Sequence, residues 1–262
     1  YRFIAANFGL KAPELEAPAE LLSFEEMAAG LPEGNLTIVD LARRLAANRQ
    51  EGGDLRAILR HQPVAIRRAW PLHNTKSKGL ETESFRIDFA NGLSATAVWL
   101  HAIAAPPYAR ATIVLNDKGK QAAGEEVADR VNRGDNVFAV DLFLHGDAAP
   151  AKPGPHHYAQ MFTALGERPL ALQAAQLAAI AAWVKARTNA PEVRVETKGP
   201  RTQMAALAAA AMSPGLFSDV LMSEAIGSLR RLLDAPVEYT AAPELFVLDL
   251  YRHFDVESMR AM

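Results

Sequence analysis

The residues best placed to do chemistry lie at an abrupt turn around Gly199, between the strand-like segment 193–197 and an alanine-rich segment. In α/β enzymes a strand, a sharp glycine turn and a helix of small residues hold the catalytic nucleophile, commonly in the pattern G-x-S-x-G. Here the turn continues with Pro200, Arg201 and Thr202, and it contains neither serine nor cysteine. The sequence therefore predicts a nucleophile position that lacks the usual nucleophile.

The residue at this position depends on how the turn is aligned with the pattern. If Gly199 is the first glycine, the nucleophile position falls on Arg201. If the segment Ala205-Ala206-Leu207 fixes the alignment instead, the position falls on Pro200, and neither side chain can attack an ester. Thr202 carries a hydroxyl, but a strained turn disfavours a β-branched residue. We expect the Thr202 hydroxyl to cap the following helix.

A hydroxyl nucleophile also requires an acid and a histidine base. Glu224 follows the predicted strand 219–222 and is the best acid candidate, with an ordinary loop carboxylate as the alternative. His253 is the only histidine after the turn, so it is the only candidate base on that side. It stands four residues after Asp249, a helical spacing that favours surface pairing over catalysis.

Composition and motifs argue against several other classes of protein. The net charge of −2 gives no electrostatic case for binding nucleic acid or an anionic membrane, and no apolar run approaches the roughly 18–20 residues of a membrane span. The chain has no cysteine, and the adjacent His156 and His157 lack the carboxylate pattern of a metal site. Glycine-rich phosphate loops are also absent, so we expect neither a metal nor a cofactor.

Residues 1–78 are predicted to form an N-terminal helical arm that connects domains. Its first part, residues 1–35, is rich in proline, with one short helix near residues 24–29. A second helix is predicted after Thr37, and Asp54 is expected to cap a third.

Residues 79–262 are predicted to form an α/β domain. A leading β-hairpin is indicated by alternating apolar residues on both sides of Asn91-Gly92. Strands and helices then alternate, which predicts three layers around a mostly parallel sheet. The predicted strands are residues 111–115, 136–142, 193–197 and 219–222, and the predicted helices are residues 124–133, 170–187 and 203–212. Residues 245–250 are either a strand or the start of a helix.

Over roughly residues 80–230 this series resembles the α/β-hydrolase superfamily, and it is similar to bacterial carbohydrate esterases of the acetyl xylan esterase type. The residues that carry the resemblance are 113–119, 140–141 with 145–146, 165–187 and 195–199. The resemblance implies that the loop at Asn116 and Asp117 supplies a backbone N–H to an oxyanion hole, although an ordinary turn is the alternative. It also implies that Asp141 orders the following loop, whereas His145 is expected to be structural or exposed.

Two functions follow from the resemblance and the missing serine. The favoured one is a degenerate esterase module that supports a larger esterase or helps it to bind polysaccharide. The alternative is an active carboxyl-ester hydrolase acting on acylated polysaccharide through Thr202, Glu224 and His253. The start at Tyr1 and the lack of a recognisable final strand with its histidine loop suggest a piece of a longer polypeptide. The expected partner is another module of that polypeptide or a second copy of this chain, and the resemblance favours a secreted or periplasmic bacterial protein.

Overall fold

The computed structural model describes residues 2–11, 22–106 and 108–262. The chain divides into a first unit, residues 1–41, and a second unit, residues 42–262. Part of the proline-rich arm expected at the N-terminus, residues 12–21, lies outside the described residues. The second unit contains the whole β-sheet and all the candidate site residues.

Short helices make up the regular structure at the N-terminus: α1 (Arg2–Phe8), α2 (Phe24–Met27) and α3 (Ile38–Ala46), the last of which spans the division between the units. The helix expected near residues 24–29 is confirmed by α2. Its first turn is stabilised by a capping box in which Ser23 and Glu26 each accept the other's backbone N–H. The second predicted helix is α3, and the Thr37 hydroxyl caps it by accepting the N–H of Asp40. The sequence pattern did not predict α1.

A seven-stranded sheet forms the centre of the second unit. Its strands are β1 (Ile66–Ser77), β2 (Leu80–Phe89), β3 (Ser94–Ala102), β4 (Ala111–Asn116), β5 (Asn136–Asp141), β6 (Val193–Lys198) and β7 (Asp219–Ser223). The spatial order is β1-β2-β3-β5-β4-β6-β7. Strands β5, β4, β6 and β7 are parallel, whereas β1, β2 and β3 pair antiparallel with their neighbours. The predicted α/β sheet and its leading hairpin, β2–β3, are confirmed.

The edge strand β1 was not predicted from the sequence. Nine of the last ten side chains of β1 are exposed, so the strand does not show an alternation of buried apolar and exposed polar residues. The strand is held by its backbone pairing with β2. The turn between β1 and β2 lies at Lys78 and Gly79, which is where the expected division between residues 1–78 and 79–262 falls. Both strands belong to the second unit, and the functional division at 78/79 stays a prediction.

Alternate side chains of β4 and β5 pack into different apolar clusters, which gives the domain its three layers. Ile113 and Phe138 point into the large core that contains α7 (Pro169–Thr188) and α8 (Pro200–Met212). Val114 and Val137 pack instead with the apolar residues of α5 (Gly124–Asn132). This division follows from the two-residue period of a strand, which sends successive side chains to opposite faces.

The remaining helices complete the second unit: α4 (Leu55–Leu59), α6 (Pro155–Ala164), α9 (Arg231–Asp234), α10 (Leu250–His253) and α11 (Val256–Arg260). Asp54 caps α4 by accepting the N–H groups of Arg56 and Ala57, as predicted. Helix α6 lies between the predicted strand 136–142 and the predicted helix 170–187, and the sequence pattern did not predict it. None of the helices in the described part of the chain is long and apolar enough to cross a membrane.

The segment after β7 differs from the strand considered for residues 245–250. A 3₁₀ turn occupies Pro243–Leu245, and α10 begins at Leu250. The side chains of the turn are buried, and the start of α10 at Leu250 agrees with the other expectation for this segment, the start of a helix. In residues 2–11, 22–106 and 108–262, no strand follows β7.

Phe138 packs between the sheet and α7. It is fully buried, stacks on Trp99 with ring centroids 5.4 Å apart, and meets Trp183 edge to face at 5.8 Å. Phe138→Ala should lower the free energy of unfolding by about 3–5 kcal/mol, because it leaves a cavity in this cluster. Urea unfolding followed by circular dichroism measures the change. Leu165→Ala, at an exposed position, is the control and should change little.

Candidate active site at the Gly199 turn

The strand–turn–helix arrangement expected around Gly199 is present. Strand β6 ends at Lys198, and α8 begins at Pro200 without a side-chain cap from its own sequence. Gly199 has φ of 102°, and its N–H donates to the carbonyl oxygen of Ser223 at 3.0 Å. A Cβ atom at this position would overlap the carboxyl group of Asp117, so the turn requires glycine for both its backbone angle and its space.

The Asp117 carboxylate caps α8 from the loop after β4. Its two oxygens accept the backbone N–H groups of Arg201 at 3.0 Å and Thr202 at 2.8 Å, and it also accepts the Thr202 hydroxyl at 2.8 Å. The first N–H groups of a helix lack partners within the helix, and the positive end of the helix dipole favours an anion there. Asp117 therefore satisfies both requirements of this helix end.

This arrangement corrects the expected role of Thr202. The helix begins at Pro200 and not at Gln203, because a proline fits the first helical position, where no N–H is needed. Thr202 thus lies inside the first turn of α8, and its buried hydroxyl bonds to Asp117 instead of capping its own helix.

The backbone N–H groups at this turn are engaged within the protein in both alignments of the pattern. In a nucleophile elbow, the N–H of the residue after the nucleophile binds the oxyanion. That residue is Thr202 if Arg201 holds the nucleophile position, or Arg201 if Pro200 does, and both N–H groups donate to Asp117.

Backbone N–H groups of the loop after β4 are likewise hydrogen-bonded within the protein. The Asp117 N–H donates to the carbonyl of Lys198 at 2.9 Å, and the Lys118 N–H donates to the side chain of Asn116 at 2.9 Å. The Asn116–Asp117 loop thus contacts the turn, and the Asp117 carboxylate is the acceptor that it presents to the first N–H groups of α8.

Arg201, which holds the nucleophile position in one of the two alignments, extends its guanidinium to a buried carboxylate. Its Nη2 and Nε atoms donate to Oε1 of Glu244 at 2.6 and 3.0 Å, and Nη2 also donates to the carbonyl of Leu144 at 3.3 Å. Glu244 lies in the 3₁₀ turn after β7 with 0% of its surface exposed, and Oε1 also accepts Gln173 Nε2 at 3.2 Å. A buried carboxylate is tolerated only with such partners, since its desolvation is costly.

His145 lies beside this ion pair. It is 2% exposed, and its Nε2 atom is 3.3 Å from Glu244 Oε1 without the alignment of a hydrogen bond. Burial lowers the pKa of His145, and the charge of Arg201 lowers it further against the opposing effect of Glu244. The imidazole is therefore neutral at neutral pH, and His145 is buried and not exposed, which leaves a structural role as the expectation.

The charge of Glu244 is balanced by Arg201. Burial by itself raises the pKa of Glu244, whereas the charge and the hydrogen bonds of Arg201 lower it. With His145 neutral, Arg201 supplies the compensating charge, so Arg201 and Glu244 form an ion pair. The sequence pattern did not point to Glu244. The apolar residues around it indicate burial, but they do not indicate an ionic partner.

The three residues considered for a catalytic triad have separate partners. Thr202 is buried against Asp117, whereas Glu224 is exposed, and its carboxylate is 3.9 Å from Lys198 Nζ. His253 Nδ1 lies 3.0 Å from the carbonyl oxygen of Gly52. In the part of the chain that the structure describes, no hydrogen bond or ion pair connects any two of the three.

Asp141 orders the loop after β5, as the resemblance implies. Its buried carboxylate accepts the Lys120 N–H at 2.7 Å, the Lys120 ammonium at 2.7 Å and the Asp147 N–H at 2.9 Å. These bonds fix the start of the loop that carries His145. Within the described residues, no group of three or more histidine or acidic side chains could hold a metal ion.

Comparison with solved structures identifies the class of fold. No protein-family model and no curated protein matches the sequence. A candidate acetyl xylan esterase from Bacteroides fragilis superposes with a TM-score of 0.71 at 11% identity, over 87% of this chain and 72% of that one. This chain therefore has an α/β-hydrolase-like fold.

Two further solved structures with a similar fold are also acetyl xylan esterases. Acetyl xylan esterase from a Paenibacillus species gives a TM-score of 0.56 at 12% identity, covering 83% of this chain and 76% of that one. Acetyl xylan esterase 1 from a Thermoanaerobacterium species gives 0.52 at 14% identity, covering 78% and 69%. The fold is of the acetyl xylan esterase type, as the sequence resemblance suggested.

Asp117→Asn tests the cap on α8. The amide keeps one acceptor oxygen, removes the negative charge from the helix end, and turns an NH₂ group toward a backbone N–H. We expect a loss of about 1–2 kcal/mol in the free energy of unfolding. Thermal unfolding measures it, with Asp234→Asn, an exposed partner of Arg230, as a control that should change little. Equal stability of the two variants would contradict the capping role.

His145→Asn tests the burial of a neutral imidazole. Because the pKa of His145 is lowered in the folded chain, the unfolded chain binds more protons below about pH 6.5, so stability falls as the pH falls through this value. The variant should lose less stability than the parent between about pH 7.5 and 5.5. Part of the pH dependence of stability should remain in the variant, because burial also lowers the pKa of His61. Identical slopes in urea titrations would disprove the assignment.

Proposed function

We propose that this chain is a catalytically inactive α/β-hydrolase-fold domain with a structural or substrate-binding role in a larger esterase. The observation that carries the proposal is that neither alignment places a nucleophile at the turn: one gives Pro200, and the other gives Arg201, which is held in an ion pair with the buried Glu244. A guanidinium stays protonated in proteins and cannot form an acyl intermediate with an ester.

The hydrogen bonds of Asp117 support the same proposal. Ester hydrolysis requires N–H donors aimed at the developing oxyanion, and losing one such donor costs about 10²–10³ in kcat. At this turn the N–H groups of Arg201 and Thr202 already donate to an anion of the protein itself. A substrate oxygen would have to displace the Asp117 carboxylate to reach them.

The contacts of Thr202 also argue for an inactive domain. An attacking hydroxyl needs a base that accepts its proton and access to the substrate. Thr202 is 2% exposed, and its hydroxyl donates to Asp117, while His253 lies against the carbonyl of Gly52.

The proposed partner is another module of the same polypeptide or a second copy of this chain, and the proposed ligand of the assembly is an acylated polysaccharide. The support is the likeness of this fold to proteins named acetyl xylan esterases. In this chain the fold is kept, but the N–H groups at the Gly199 turn already donate to a side chain of the protein. Such a domain is better suited to supporting an assembly or binding a ligand than to catalysing hydrolysis.

A hydrolysis assay tests the loss of activity. The purified chain should release p-nitrophenol from p-nitrophenyl acetate no faster than Thr202→Ala does, and both rates should equal the rate without protein. An active acetyl xylan esterase serves as the positive control for the substrate. Turnover by the parent that disappears in Thr202→Ala would overturn the proposal and support the alternative, an active carboxyl-ester hydrolase.

A further inference from the structure

A cavity of about 590 Å³ on strands β1 and β2 is lined by charged and aromatic side chains. These strands lie at one edge of the sheet, whereas β6, which leads into the Gly199 turn, lies near the other. The cavity is therefore separate from the candidate active site, and a role for the cavity does not depend on the proposed function. Its volume is within the range of roughly 300–1,000 Å³ that small-molecule sites occupy.

Strand pairing brings three arginines to this cavity. Arg68 lies opposite Asp88, and Trp70 lies opposite Arg86. Between Ile66 and Arg68 the register shifts, which leaves Arg67 as an extra residue on β1. A bulge of this kind breaks the alternation of a strand and re-aims a side chain, so Arg67 lines the same cavity as Arg68.

Neighbouring side chains hold two of the three guanidiniums in place. The Arg68 guanidinium stacks over the Trp70 ring at 3.4 Å from its centroid. Asp88 accepts Trp70 Nε1 with one oxygen and Arg86 Nε with the other, both at 2.9 Å. Stacking and a single Nε bond leave the outer N–H groups of Arg68 and Arg86 available to a ligand.

The cavity carries an excess of positive charge. Hydrogen bonding from Arg86 lowers the pKa of Asp88 despite the opposing effect of desolvation, and Trp70 and the charges of Arg86 and Arg67 lower it further, so Asp88 is ionised at neutral pH. Three guanidiniums then face one carboxylate, an excess of two positive charges (3 − 1 = 2) in a chain of net charge −2. In the described part of the chain, Arg67 has no hydrogen bond or ion pair with another side chain. An anion would balance this excess, and planar guanidinium groups bind carboxylate and phosphate oxygens best.

We propose that the cavity formed by Arg67, Arg68, Trp70, Arg86 and Asp88 binds a small organic anion that carries a carboxylate or a phosphate group. Arg67 and the outer edges of the other two guanidiniums donate to the anion. Asp88 keeps Trp70 and Arg86 in the orientation that this requires.

Isothermal titration calorimetry on the full chain tests the proposal with three probes of similar size: glucuronate, glucose 6-phosphate and neutral glucose. One or both anions should bind with saturation, and glucose should not bind. Affinity should weaken several-fold when the salt concentration rises from about 20 to 200 mM, since screening weakens charge–charge attraction. The anion that binds more tightly identifies the acidic group, whether carboxylate or phosphate.

Arg67→Gln should weaken anion binding about tenfold, because it removes a charged donor to the ligand. The matched control, Arg230→Gln, makes the same charge change at an exposed pair with Asp234 and should bind like the parent. Circular dichroism checks that both variants are folded. Binding of glucose as tight as that of the anions, equal affinities of the two variants, or no saturable binding of either anion would each overturn the proposal.

Discussion

A carboxylate with no access to water has to be neutralised where it is buried, and Glu244 sets this requirement for the region around the Gly199 turn. Desolvating a charge costs several kcal/mol, so the surrounding side chains must supply both charge and hydrogen bonds. Arg201 supplies the charge, and Gln173 adds a hydrogen bond from α7. The same arginine reaches the carbonyl of Leu144, so one buried acid connects the first turn of α8, the loop after β5 and the 3₁₀ turn after β7.

Much of the fold could be predicted because it depends on local periodicity. Phe85, Ile87 and Phe89 alternate with polar residues, and β2 follows this pattern into the core. The apolar run at residues 137–140, within the predicted strand 136–142, likewise predicted a strand buried on both faces, which β5 is. Strand β1 has no such pattern. It is held by backbone hydrogen bonds to β2, and these bonds do not require particular side chains.

The candidate site was less accessible to sequence reasoning because its interactions are long-range. The glycine turn and the missing serine were visible directly, and the resemblance pointed to the loop of Asp117. However, the sequence could not show that the Asp117 side chain, 84 positions before Arg201, accepts the N–H groups of α8. Glu244 and Arg201 are 43 positions apart, and neither has a local signature of an ion pair.

The cap on α8 also determines what could compete for this helix end. Asp117 belongs to the same chain as the N–H groups that it occupies, and the fold holds it there although 84 positions separate it from Arg201. A group that its own scaffold holds in contact has already met the entropy cost of association, which a free ligand meets on binding. An anion from solution would therefore have to displace a carboxylate whose effective concentration does not fall on dilution.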